Sequence, residues 1–174
     1  NTSVNHIDFT LFRGHYTGKS ALAATEYVTS SKTLQIVDLS ISRDQYYRGI
    51  RGMMSIVLRA LSRSKSVTKV VINTDTMRIA SVAFKEFMTR TQTLQKLQIM
   101  DYEYENFREV QIAAIASGFA NNTTLHDLKF KSWGDTDLSP VLTALQHHPV
   151  LQKIQLSAGY GCQSLEFFRP SLSG

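Results

Sequence analysis

The chain has 174 residues, 43% of them hydrophobic, which is enough apolar material for one domain with a sizeable core. Nineteen lysines and arginines against fourteen acids leave a formal charge of +5, so nucleic acid or an anionic surface stays open as a partner. No apolar run approaches the roughly 20 residues of a membrane span, and the single cysteine, Cys162, excludes a disulfide framework and a cysteine-based zinc cluster.

The first predicted element is a strand over residues 4–10, with apolar side chains at Val4, Ile7 and Phe9. The same spacing returns at Leu34, Val37 and Leu39, then at Val67, Val70 and Ile72. It recurs at Leu94, Leu97 and Ile99, at Leu125, Leu128 and Phe130, and at Leu151, Ile154 and Leu156. The strand cores are therefore 4–10, 34–40, 67–73, 94–100, 125–131 and 151–157, the rhythm of a repeat protein. Because side chains alternate along a strand, the second and third apolar positions share one face and line a core. The residues between them face the other way and are free to bind.

Each interval before the next strand carries an i, i+4 apolar pair: Ala24 and Val28, Val57 and Leu61, Phe84 and Met88, Ile115 and Phe119, Val141 and Leu145. That spacing predicts one helix per repeat, packed by its apolar stripe. Small polar residues then open the return turn, as at Ser31-Lys32-Thr33, Ser64-Lys65-Ser66 and Thr91-Gln92-Thr93.

The chain resembles the leucine-rich-repeat proteins, most closely their ribonuclease-inhibitor-like class, and Phe119-Ala120-Asn121-Asn122-Thr123-Thr124-Leu125 is close to that class's helix-to-strand junction. The resemblance implies a right-handed α/β leucine-rich-repeat solenoid, a horseshoe arc with a parallel sheet on the concave face and helices on the convex face. Residues 1–174 then form a single domain of about six repeats, expected to be part of a longer array. The Asn or Cys that the family places after each strand is replaced here by Phe12, Ser42, Asp75, Tyr102, Trp133 and Gly159.

Candidate chemistry is sparse. Gly14-His15-Tyr16-Thr17-Gly18-Lys19-Ser20 follows a strand and precedes a helix, but it is one residue short of a phosphate-binding loop. A nucleotide-binding enzyme using Lys19 and Ser20 is the rival it suggests. The histidines His6, His15, His126, His147 and His148 fall in different repeats or at a helix end, and His147-His148-Pro149 reads as a helix stopped by proline. Asp8 and Asp38 occupy equivalent positions in neighbouring strands and form a surface acidic pair. Arg48, Arg51, Arg59 and Arg63 make a basic stripe on the second helix.

These readings converge on a non-enzymatic, cytoplasmic scaffold for protein–protein interaction, with no catalytic residues, metal or cofactor. The expected contact set is Lys69, Lys96, Gln98, Met100, Lys129 and Lys131 from the sheet, with Tyr102, Tyr104 and Trp133 from the rim loops, where aromatic residues serve as anchors. A protein partner is expected, and no small-molecule substrate. The alternatives are a basic nucleic-acid or anionic-surface module built on the arginine stripe, or an architectural subunit of a large assembly.

Overall fold

The computed structural model describes residues 4–9, 18–40, 50–100, 107–132, 137–158 and 165–168. In chain order the elements are β1 (His6–Asp8), α1 (Gly18–Ser30), β2 (Ile36–Leu39), α2 (Ile50–Leu61), β3 (Lys69–Asn73) and α3 (Thr74–Ile79). They continue with α4 (Ser81–Arg90), β4 (Lys96–Met100), α5 (Glu109–Ala120), β5 (Asp127–Ser132), α6 (Ser139–Gln146), β6 (Lys153–Ala158) and β7 (Leu165–Phe168). Among the described residues the strands form one seven-stranded sheet in the order β1-β2-β3-β4-β5-β6-β7. Pairs from β1 to β6 are parallel, and β7 runs antiparallel to β6.

The recurring apolar spacing sets the register. Ile7, Val37, Val70, Leu97, Leu128 and Ile154 stand side by side across the sheet, as do Leu39, Ile72, Ile99, Phe130 and Leu156. Val37, Val70, Leu128, Leu39, Ile72 and Ile99 are fully buried, while Ile7 and Ile154 pack against the core from its two ends. Each such side chain contributes about 1.5–3 kcal/mol when removed from water.

The helices cover the face on which these rows stand. α1 packs on α2, α2 on α4, α4 on α5 and α5 on α6, so they form a single layer in chain order. Val28, Leu61, Met88, Phe119 and Leu145 are all buried beneath it, as the i, i+4 register requires. Phe84 meets Phe119 edge to face with ring centroids 5.9 Å apart and Phe87 at 6.3 Å, contacts that add about 0.5–1.5 kcal/mol each beyond burial. α5 follows Arg108, whose amide donates to the Gln111 side chain at 2.8 Å, and Glu109 sits where the positive end of the helix favours an acid. α6 carries Pro140 in its first turn and ends before His147, His148 and Pro149.

The return turns repeat as faithfully as the strands. Ser31 Oγ accepts from the amides of Thr33 and Leu34, Ser64 Oγ from those of Ser66 and Val67, and Asn122 Oδ1 from those of Thr124 and Leu125. Past each turn one carbonyl, of Asn5, Gln35, Thr68, Gln95 or His126, accepts two successive amides of the next strand's entry at 2.8–3.0 Å. Backbone groups that leave a helix are thereby satisfied before they enter the sheet.

The right-handed leucine-rich-repeat horseshoe expected from the sequence is corrected. The six expected strands do pair in parallel, but a seventh strand outside that pattern, β7, adds antiparallel to β6. The position that the family fills with Asn or Cys is replaced throughout this sequence, and Asp75, the one such position that is described, lies inside α3, a helix that begins directly at the end of β3. What is shown is an α/β fold with six parallel strands alternating with helices. That alternation is shared with Rossmann-like and flavodoxin-like sheets, although the order of the described strands has no reversal and so places no switch-point crevice among them.

Candidate functional site

The face of the sheet turned away from the helices carries the candidate site. Alternation along the strands is visible in burial: Val70 and Ile72 of β3 are buried and Lys69 and Val71 half-buried, and Leu97 and Ile99 of β4 are buried while Lys96 is exposed. Outward residues line up in rows across the strands. One row reads His6, Ile36, Lys69, Lys96, Asp127, Lys153, and the next reads Asp8, Asp38, Val71, Gln98, Lys129, Gln155.

Six of the nine residues expected to make contact are brought together on this face. Lys69 and Lys96 are register partners on β3 and β4, and Gln98 pairs with Lys129 on β5. Met100 pairs with Asn73, and its Sδ accepts from Gln98 Nε2 at 3.0 Å, which holds the amide along its own strand. Lys131 pairs with Ser157 of β6. Tyr102, Tyr104 and Trp133 lie outside the described residues, as do positions 14–17 of the glycine loop, Arg48 and Cys162. Among the described residues no ion pair engages Lys69, Lys96 or Lys129.

Asp8 and Asp38 are register partners, as their spacing requires. Asp38 is half-buried, and its Oδ1 accepts from the Ser40 hydroxyl at 2.8 Å. Asp127 was not expected: it stands between Lys96 and Lys153 and breaks the basic run. Its position before Leu128 would have placed it, had charges of both signs been read along the row.

A second polar group sits at the end of β3, buried under α3. Asn73 Oδ1 accepts from the Thr76 amide at 3.0 Å and from its hydroxyl at 2.7 Å, Arg78 pairs with Asp75 at 2.7 Å, and Gln111 Nε2 donates to the Arg78 carbonyl at 2.7 Å. This arrangement ties α3 to α5 and fixes where β3 ends. The arginine stripe on α2 is less free than its spacing suggests. Arg51, Arg59 and Arg63 are exposed, but Arg59 Nε donates to Glu86 Oε2 at 2.8 Å, and that hydrogen bond holds the Glu86 carboxyl below its ordinary range. Asp137 is likewise lowered, by the hydroxyl and amide of Ser139.

Among the described residues no group of three or more His, Cys, Asp and Glu could hold a metal ion, and no helix is long and apolar enough to cross a membrane.

No family model matches the chain, and no curated protein does. A solved structure does. The chain is similar to leiomodin-1 actin-binding site 2, with a TM-score of 0.54 and 15% identity over 83% of this chain and 80% of that one. At that identity the likeness shows the fold alone. It supports the α/β arrangement described above and does not carry the leucine-rich-repeat assignment.

Proposed function

We propose that this chain is a non-enzymatic protein-interaction scaffold that receives its partner on the open face of the sheet. The observation that carries the reading is the one-sidedness of the sheet. Its inner rows are buried under the helix layer, while its outer rows present Ile36, Val71 and Met100 half-buried among Lys69, Lys96, Gln98 and Lys129. Six parallel strands at about 4.8 Å give a surface roughly 24 Å across, wide enough for a helix or loop of another protein and too open to exclude water for chemistry. One solved structure to which it is similar is an actin-binding site, which supports a protein as the class of partner. A cytoplasmic location belongs to the same reading, since one cysteine cannot form a disulfide within the chain.

The rival nucleic-acid reading is weakened by charges on both candidate surfaces: Asp8, Asp38 and Asp127 would repel phosphates on the sheet, and Glu86 already occupies Arg59 on the helices. A photo-crosslinking residue placed at Gln98, and separately at the exposed Ala113 of α5, tests the proposal in an extract of the source cells. Protein adducts from position 98 and none from position 113 are expected. Adducts from position 113 alone would place the site on the helices and defeat the reading.

A further inference from the structure

Five helices, α1, α2, α4, α5 and α6, return to the sheet through a turn with one polar side chain at a fixed place, three residues before the first apolar residue of the next strand unit. That place is held by Ser31, Ser64, Thr91, Asn122 and His148. Ser31 is half-buried there and the other four are buried, His148 at 1% exposure. The backbone also matches: the amides of Ser64, Asn122 and His148 donate to the carbonyls of Leu61, Phe119 and Leu145 at 3.2, 3.1 and 3.2 Å.

The place calls for a hydrogen-bond acceptor. Ser31 Oγ, Ser64 Oγ and Asn122 Oδ1 each accept from two backbone amides, those of the residues two and three further on. In the last turn those residues are Val150 and Leu151. A hydroxyl or an amide oxygen accepts at every ordinary pH, whereas an imidazole has one accepting nitrogen when neutral and none when protonated. Of the five residues only His148 titrates near neutral pH. Among the described residues, the surrounding elements bring no carboxylate to this turn. α6 has no charged residue, Asp137 precedes its opposite end, and the one charged residue of α5 is Glu109, in its first turn. Asp127, Lys129 and Lys131 of β5 and Lys153 of β6 stand in the outward rows, and Glu166 of β7 is the register partner of the outward Gln155. Of the nearby histidines, His147 is exposed and His126 half-buried at the entry of β5. The carboxyl end of α6 favours a cation through its carbonyls, but the equivalent side chains are aimed at amides.

We infer that His148 is a pH-sensitive latch, whose protonation between about pH 7 and pH 5 releases the α6–β6 turn and opens that end of the array while the rest stays folded. α6 stands at the end of the helix layer and packs on α5, so the last unit can open without parting the others. The open form takes up the proton more readily than the closed one, so this end loses stability as the pH falls. Glu86 and Asp137 are both held below their ordinary carboxylate range and titrate outside this window. The latch acts whether or not the open face of the sheet is the binding face.

Hydrogen exchange of the full chain, read by mass spectrometry at about pH 7.5 and about pH 5.5 and corrected for the intrinsic rate, tests the inference. Amides of residues 139–158 are expected to exchange at least about tenfold faster at the lower pH, with those of α2 and α4 unchanged. His148→Asn, which installs the residue that already serves the α5–β5 turn, should abolish the difference, and His147→Asn should keep it. Should His148→Asn not fold, the parent chain decides: by NMR its His148 ring should gain a proton over the same pH range in which exchange quickens. A pH response retained in His148→Asn, exchange that quickens over the whole chain at once, slower exchange of 139–158 in acid, or a ring that titrates outside the range of the opening would each overturn the inference.

Discussion

Asn122 lies buried in the turn between α5 and β5 and serves three backbone groups: its Nδ2 donates to the Met88 carbonyl at 2.7 Å, and its Oδ1 accepts from Thr124 and Leu125. It heads the Asn122-Thr123-Thr124 triplet, which resembles a glycosylation signal. Its engagement in the turn explains the asparagine without a glycan. Asn122→Ala should cost at least about 2 kcal/mol in denaturant unfolding, because buried donors and acceptors lose their partner together. Phe84, also fully buried, meets two rings, and Phe84→Ala should cost about 3–5 kcal/mol. The Arg59–Glu86 pair is the contrasting case, with side chains 52% and 34% exposed. Since the Glu86 pKa is lowered on folding, the pair's contribution is present above the ordinary carboxylate pKa of 4.5 and is lost as the pH falls through the lowered value. Glu86→Gln should therefore change stability by less than about 1 kcal/mol near neutral pH, and the variant and parent should converge in acid.

At the scale of elements, packing between helices depends on close approach. A Cβ at Gly118 of α5 would stand 3.2 Å from Met88 Cβ and 3.3 Å from Lys85 Cα on α4. Gly118→Leu should destabilise by about 1–3 kcal/mol or more despite the better helix propensity of leucine, and a rise in melting temperature would show that α4 and α5 are not held this closely. The strands from β1 to β6 and the helix registers were legible because apolar spacing reports which side chains share a face, and Val37 with Leu39, or Phe84 with Met88, can share one in only one way. The family was not legible from that spacing, since any sheet with helices on one side requires it. Two elements escaped. α3 begins at Thr74-Asp75-Thr76, residues that read as a loop until Asn73 is seen to cap them, and β7 at Leu165–Phe168 lacks the spacing of the other strands. The sheet half of the candidate site was readable from strand phase, including the Asp8 and Asp38 pair. Asp127 was missed because only lysines were followed along its row.

For the molecule as a whole, the one-sided sheet divides the lysines into two classes. Lys69, Lys96 and Lys129 stand on the open face, whereas Lys65 lies in the turn after α2 and Lys85 on the exposed side of α4. Acylation of lysines with and without the bound partner, read residue by residue by mass spectrometry, therefore tests most directly whether the open face is the binding face. Modification of Lys69, Lys96 and Lys129 should fall severalfold in the complex while Lys65 and Lys85 react as before. Loss of reactivity at Lys65 and Lys85 with Lys96 unchanged would contradict the account and move the site to the helix layer.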